Sequence, residues 1–174
     1  MGRDRYDKHP DKVWFLNKKE FSPIIEALER QWGFTQPFEY VFIRNAKDNV
    51  YIIQRSLVDV HIDDLKLNSL GIYFCEIQKR GDIRLSIEGS QLIGPHATKN
   101  ILELNDKEAD EWMKGYELSK PTPLNGYVIV KHKGDFMGCG YVIDSGDKII
   151  NYVPKTRRIH ATINKIEDEE NVVE

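Results

Sequence analysis

The spacing of apolar residues near the start of the chain predicts one amphipathic helix. Four apolar residues fall on one helical face: Ile24, Ile25, Leu28 and Trp32. Ser22 is a favourable N-cap residue, and Pro23 suits the first helical position. Gly33 is expected to end this helix, and Pro37 would prevent it from resuming.

Two pairs of β-rich runs follow, and each pair predicts a β-hairpin. Residues 39–44 and 49–54 flank a polar turn, and residues 70–77 and 83–88 flank a second one. Between the two pairs, the apolar residues of segment 56–67 fit a short helix better than a strand.

A domain boundary is expected at Gly89-Ser90, because short strands predominate beyond it. One clear helix interrupts them. Asn105 and Glu108 have the spacing of a capping box, and Gly115 stands where the helix should end. Acidic residues crowd the first turns of this helix, which agrees with the helix dipole.

The remaining strands predict a small β-barrel. Residues 126–132 and 136–143 form a hairpin pattern, and residues 148–153 add a further strand. The hairpin region contains three glycines: Gly134, Gly138 and Gly140. Their spacing does not match a dinucleotide-binding loop, because a strand and not a helix follows them. Glycines inside a strand mark a bulge, a corner or a close approach by backbone or ligand.

The composition is that of a folded protein of one or two domains. The chain has 174 residues, of which 40% are hydrophobic and 30% charged. Its apolar stretches are far shorter than a membrane span, and its polar start lacks the apolar core of a signal peptide. These features predict a soluble, cytoplasmic protein with no membrane partner.

Charge is distributed unevenly along the chain. Residues 126–166 carry seven Lys or Arg and three Asp, whereas residues 167–174 carry five acids and no base. A basic module followed by an acidic tail is one recurring layout of proteins that meet polyanions. A solvated surface with a disordered terminus accounts for the same pattern.

The residues that could carry catalysis or hold a metal do not form a recognisable motif. Cys75 and Cys139 are far apart, and each lies in a strand pattern where a small packing residue is expected. His61 with Asp63 and Asp64 comes closest to a metal cluster, and a solvated loop is the simpler account. No metal and no cofactor are therefore expected.

Residues 148–158, here called the basic strip, are the strongest candidate for a binding site. Six side chains in it could contact RNA: Lys148, Asn151, Tyr152, Lys155, Arg157 and Arg158. Lysine and arginine suit phosphates, and aromatic or guanidinium faces suit unpaired bases. The alternative is a strand end that is guarded by charge against edge pairing.

Several motifs in the second half follow one another in a family-specific order. They are Met113-Lys114-Gly115, Gly126-Tyr127-Val128-Ile129-Val130, the glycines 134, 138 and 140, and Asn151-Tyr152-Val153-Pro154-Lys155 with Arg157-Arg158. In this order they resemble the PUA-like RNA-binding domain of RsmF-type rRNA cytosine methyltransferases. The resemblance implies that the basic strip contacts RNA and that Gly138 and Gly140 permit close backbone approach.

A second, looser resemblance covers residues 13–160. Segments 49–53, 69–71 and 92–95 look like parts of small archaeal and eukaryotic proteins of ribosome biogenesis that join a pre-PUA domain to a PUA domain. It implies an α+β protein in which a mixed α/β domain packs on a small PUA-type β-barrel. The domains would be 13–89 and 90–163, with a frayed segment 1–12 and an acidic, disordered tail 164–174.

The sequence departs from the methyltransferase pattern at the positions that catalysis requires. The family uses cysteines in Pro-Cys and Thr-Cys contexts and a Rossmann-type domain for S-adenosylmethionine. Here Phe74 precedes Cys75 and Gly138 precedes Cys139, and 174 residues leave no room for that domain. The chain is therefore expected not to be an enzyme.

Three functional hypotheses remain open at this point. The first is a non-catalytic RNA-binding protein that holds rRNA or a pre-ribosomal particle during ribosome biogenesis or rRNA modification. The second is an adaptor that delivers RNA to a separately encoded methyltransferase, with that enzyme or a ribosome-assembly factor as its partner. The third, an enzyme of another kind, would need a polar pocket around His61, Asp63 and Asp64.

Overall fold

The computed structural model of the protein describes residues 13–55 and 71–159. Five antiparallel strands in sequence order form the first sheet: β1 (Val13–Phe15), β2 (Tyr40–Asn45), β3 (Asn49–Gln54), β4 (Ile72–Ile77) and β5 (Ile83–Leu85). Both predicted hairpins, β2–β3 and β4–β5, are confirmed. The helix expected over 56–67, the frayed start and the acidic tail lie outside the described residues.

Helix α1 (Lys18–Trp32) begins earlier than predicted, so the assignment of Ser22 as N-cap is wrong. Asn17 is the N-cap, and its side chain accepts hydrogen bonds from the backbone of the first turn while Glu20 bonds back to the Asn17 backbone. This capping box satisfies the free N–H groups of the helix start. It outweighs the one hydrogen bond that Pro23 removes inside the helix.

The other end of α1 is as predicted. Gly33 adopts the left-handed conformation at φ +66°, and its N–H returns to the carbonyl of Glu29. The buried face of the helix includes Ile24, Leu28 and Trp32, which pack on the first sheet. The apolar spacing therefore identified the core-facing side of α1 correctly.

Helix α2 (Ile87–Ile93) was not predicted, and it replaces the end of the strand expected over 83–88. Ser86 is its N-cap and accepts a hydrogen bond from the backbone N–H of Gly89 at 2.8 Å. The serine ends β5 because it turns the chain and satisfies the first turn of the helix. The position expected to be a domain boundary, Gly89-Ser90, lies inside α2. The division into domains 13–89 and 90–163 stays a prediction.

A second five-stranded sheet forms the rest of the molecule. Its strands are β6 (Ile101–Glu103), β7 (Leu118–Ser119), β8 (Gly126–His132), β9 (Asp135–Ile143) and β10 (Lys148–Asn151). They pair in the order β6-β8-β9-β10-β7, with β6 and β8 parallel, and the sheet curls into a half-barrel. The predicted α+β class and PUA-type sheet are confirmed.

Helix α3 (Asp106–Met113) covers the second sheet. The predicted capping box is present, because Asn105 accepts from the Glu108 backbone and the Glu108 carboxylate accepts from the Asn105 backbone, each at 2.9 Å. Trp112 is fully buried against the sheet and donates its indole N–H to the carbonyl of Met137 at 2.9 Å. This tryptophan anchors α3 on β9.

The two sheets share a hydrophobic core. Ile129 of β8 and Cys139 of β9 are buried in the same cluster as α1 and the first sheet. Gln31 of α1 is also buried, and its side chain bonds both the N–H and the carbonyl of Ile83 on β5. Within residues 13–55 and 71–159, no helix has the length and apolar character needed to cross a membrane.

Gly140 is expected to tolerate no side chain, because β9 packs tightly at this point. A Cβ there would lie 2.7 Å from Cγ2 of Ile149 and 3.0 Å from the ring of Trp112. Gly140→Ala should therefore destabilise the protein by about 1–3 kcal/mol through overpacking. Gly134→Ala is the matched control, because open space surrounds that position. Urea unfolding measures both, and equal midpoints for the two variants would contradict this account.

Candidate nucleic-acid interface

A cleft of about 610 Å³ lies where the two sheets meet, and it is here called the inter-sheet cleft. One wall comes from β4, β5 and the start of α2, and the other from β9 and the segment after β10. Three residues of the predicted site line it: Gly138, Tyr152 and Arg157. Lys155 is exposed between two lining residues, Pro154 and Thr156. The structure thus gathers half of the predicted site residues around one opening.

Arg84 and Tyr152 form a stacked pair across this cleft. The guanidinium carbon of Arg84 lies 4.4 Å from the centre of the Tyr152 ring, which is the geometry of a cation–π contact. An ion pair with Glu76 on the neighbouring strand β4 holds the guanidinium in place. The sequence did not single out Arg84, because nothing local distinguishes it from any other charged residue between two buried ones.

The tyrosine hydroxyls near this pair are neutral at ordinary pH. Burial raises the pKa of Tyr127 to about 12, and burial also raises the pKa of Tyr73. The Tyr127 ring lies 6.3 Å from that of Tyr152. Tyr73, which lines the cleft, therefore contributes aromatic surface without phenolate charge.

Arg157 reaches across the mouth of the cleft and pairs with Glu88 on α2. Both side chains remain accessible, with 60% of Arg157 and 34% of Glu88 exposed. An ion pair in such a position is worth little, because water screens it. No acidic residue among those described pairs with Lys155, which is exposed between two residues that line the cleft.

The other predicted site residues are engaged in the fold. Asn151 donates its amide to the carbonyls of Trp112 and Tyr116 at 2.8 and 3.0 Å, and its oxygen accepts from the Val153 N–H at 2.7 Å. Arg158 donates from Nε to the carbonyl of Val153 at 3.1 Å. Asn151 therefore ties the end of β10 to the end of α3.

Lys148 and Gly140 also contact other parts of the folded protein. Lys148 forms an ion pair with Glu117, and Gly140 lies against Ile149 and Trp112. An RNA contact by Lys148, Asn151, Arg158 or Gly140 stays a prediction. The sequence showed which residues are polar and close together, but not which of them the fold already uses.

The second half of the described chain matches a known protein family. The model of the RsmF methyltransferase PUA domain matches residues 99–159, which span β6 to the segment after β10. These residues form an RsmF-type PUA domain. Tyr152, Lys155 and Arg157 thus belong to the PUA domain, whereas Arg84 and Glu88 precede the matched segment.

Similarity to RsmF extends beyond the PUA domain. The ribosomal RNA small subunit methyltransferases F of Aeromonas salmonicida (strain A449) and Aeromonas hydrophila are 28% and 26% identical to the chain, each over 141 residues. The aligned part is 80% of this chain and 28% of each relative. The chain therefore spans little more than a quarter of the length of these relatives, and the alignment includes residues outside the PUA domain.

The thiols of the two cysteines are buried in the protein. Cys75 in the first sheet and Cys139 in the PUA domain are both free and buried. Burial raises the pKa of both thiols, that of Cys139 to about 12. Within the described part of the chain, no group of three His, Cys, Asp or Glu residues could hold a metal ion. His61, Asp63 and Asp64, for which a solvated loop was the simpler account, lie outside it.

Neither thiol should react with an alkylating agent in the folded protein. The thiolate is the nucleophile, so a raised pKa leaves almost none of it at pH 8, where an ordinary thiol is partly ionised. We expect iodoacetamide to label Cys75 and Cys139 only after unfolding in guanidinium, as measured by mass spectrometry. Stoichiometric labelling of either residue in folded protein at pH 8 would contradict this prediction.

Proposed function

We propose that the chain is a non-catalytic RNA-binding protein that holds ribosomal RNA in the context of rRNA modification or ribosome assembly, in the cytoplasm. The observation that carries the proposal is the position of Tyr152, Lys155 and Arg157. They lie in a segment that matches the RsmF PUA domain; Tyr152 and Arg157 line one cleft, and Lys155 is exposed next to two of its lining residues. The relatives act as ribosomal RNA small subunit methyltransferases, as their names say, which favours rRNA as the ligand.

Phosphate contacts would supply most of the affinity. Lys155 offers a point charge that no described acid neutralises, and Arg157 offers a guanidinium that matches the geometry of phosphate oxygens. Arg157 must exchange its exposed partner Glu88 for a phosphate, which costs little because the pair is screened by water. Contacts of this kind position an RNA without reading its sequence.

A second candidate function is an adaptor for a separate methyltransferase. The alignment with the two methyltransferases continues outside the PUA domain, so the first sheet shares their ancestry as well. In that case the chain would raise the apparent affinity of such an enzyme for rRNA and bind the enzyme directly. Size-exclusion chromatography of the chain with such an enzyme tests this. If the two do not elute as a complex, the simple RNA-binding function is favoured.

Removing the basic side chains of Lys155 and Arg157 should weaken RNA binding in a salt-dependent manner. Each lost phosphate contact lowers the slope of log affinity against log salt by about 0.7 to 0.9. Lys155→Ala with Arg157→Ala should therefore flatten the slope by about 1.4 to 1.8 and weaken every RNA by a similar factor. Fluorescence anisotropy over a salt series measures this.

The matched control for that pair is Lys47→Ala with Lys107→Ala. Lys47 and Lys107 are exposed and carry the same total charge, but neither lines the inter-sheet cleft. The control should keep the slope of the unmodified chain. If both double variants bind RNA with equal affinity and slope, the basic strip serves only to protect a strand end.

Glu88→Gln should strengthen RNA binding, because Glu88 competes with phosphate for Arg157. An exposed ion pair contributes about 0.2–1 kcal/mol, so the gain in affinity should be about 1.4- to 5-fold at low salt. Glu111→Gln is the matched control, since it removes the same charge from a pair with Lys107 on α3. An equal gain in both variants would show a general charge effect and no competition at the cleft.

A further inference from the structure

We propose that the inter-sheet cleft holds one unpaired nucleobase of the bound RNA, stacked on the Arg84–Tyr152 pair. The phosphates that flank this base would lie at Arg157 and Lys155 on the rim. This inference rests on the proposed RNA-binding function and names the part of the RNA that the cleft takes.

The cleft has the size and position of a small-ligand site. Its volume of about 610 Å³ falls in the range of about 300–1,000 Å³ that is usual for ligand pockets, which occur preferentially where two structural units meet. Ile72 on β4 lines it with a 51% exposed apolar side chain. A flat base entering the cleft would cover this surface.

The charges in and around the cleft favour a neutral ring inside and phosphates outside. Glu76 balances Arg84, and Glu88 balances Arg157, whereas Lys155 at the rim has no described acidic partner. The remaining walls include aliphatic side chains, among them Ile87 and Val153. Glu76 already neutralises Arg84, so a phosphate inside the cleft would find no uncompensated positive charge there, whereas an uncharged base needs none.

The Arg84–Tyr152 pair supplies the planar surface that a base needs. Unpaired bases stack on aromatic rings and on guanidinium planes. The ion pair with Glu76 fixes the orientation of Arg84 in advance, so little side-chain freedom is lost on binding. Among the described residues, only Glu76 accepts a hydrogen bond from this guanidinium, which leaves other N–H groups for the edge of a base.

Gly138 leaves room for the base on the wall that β9 shares with Tyr152. A Cβ added there would meet Cγ1 of Ile87 at 3.4 Å and no other atom within 4 Å outside its chain neighbours. Its φ of +107° also favours glycine. At Gly140, two residues later, the space that a Cβ would need is occupied by Ile149 and Trp112. The two glycines of β9 therefore differ: Gly140 serves packing, and Gly138 keeps the cleft open.

RNA hairpins with one stem sequence test the proposal on the full chain. One hairpin carries a single bulged adenosine, a second carries an abasic nucleotide at the bulge, and a third is fully paired. We expect the bulged adenosine to improve affinity about 5- to 150-fold over the abasic form, the range that stacking of one base supplies. Tyr152→Ala should abolish this difference and leave the salt slope unchanged.

Tyr116→Ala is the matched control, because this tyrosine is 61% exposed and does not line the cleft. It should keep the full preference for the bulged base. Arg84→Lys retains the charge but loses the planar face, so it should reduce the preference. Replacing the bulged adenine by 2-aminopurine gives a second measurement: its fluorescence should be quenched on binding the unmodified chain and not on binding Tyr152→Ala.

The outcomes separate this inference from the proposed function. If the bulged, abasic and paired hairpins bind equally, with a salt slope that Lys155→Ala and Arg157→Ala flatten, the chain binds phosphates and the base pocket is wrong. If Tyr152→Ala weakens all three hairpins alike, the pocket is also wrong. If none of the hairpins binds, the proposed function itself fails.

Discussion

Close contact of one short helix with both sheets is the constraint on which the rest of the structure depends. A Cβ on Gly89 would collide with the carbonyl of Phe74 on β4, and one on Gly94, just after α2, would collide with the ring of Phe136 on β9. Glycine at both positions lets α2 lie against the two sheets at once. The helix also carries Glu88 to the mouth of the cleft. The distance between the cleft walls is therefore set by how closely α2 can pack.

The balance of charge around the cleft follows from this packing. Because α2 and β5 lie beside the segment after β10, the acids of the first half face the bases of the second half. Glu88 meets Arg157 across the opening, and Arg84 stacks on Tyr152 while Glu76 holds it. Screening by water keeps the outer pair weak and exchangeable, whereas the half-buried inner pair is held in place. One surface thus combines the Arg84–Tyr152 pair, which is held in place, with an Arg157–Glu88 ion pair that another anion could replace.

Local signals were sufficient for the elements whose structure is decided locally. The α3 capping box, the left-handed Gly33 and the two hairpins of the first sheet depend on residues within a few positions of one another, and the sequence predicted them. The start of α1 failed because two capping sequences compete there: Ser22-Pro23 looks favourable alone, but Asn17 with Glu20 satisfies more backbone groups. Helix α2 was missed because Ile83, Leu85 and Ile87 alternate as a strand would, until Ser86 caps the turn.

The sequence indicated which residues the candidate site contains, but it did not indicate which of them the fold already pairs with other groups. A cluster of Lys and Arg after a strand predicts a polyanion surface, and the resemblance to PUA domains points to the same residues. Whether a side chain is free depends on tertiary neighbours that sequence spacing does not show. Asn151 lies beside Tyr152 in the chain, yet its amide closes the gap between β10 and α3, while Tyr152 faces Arg84 from another sheet. Arg84 is 68 positions from Tyr152, so no local pattern could have connected them.

The cleft also bears on how the PUA domain and the first sheet are related. The PUA model begins at residue 99, so it contains Tyr152 and Arg157 but neither Arg84 nor Glu88. A PUA domain alone would present the tyrosine and the rim charges without the opposite wall. The alignment with the two methyltransferases, in contrast, includes residues beyond that segment. If the cleft is the unit that recognises RNA, the two sheets must be inherited together, because each supplies one half of the stacked pair.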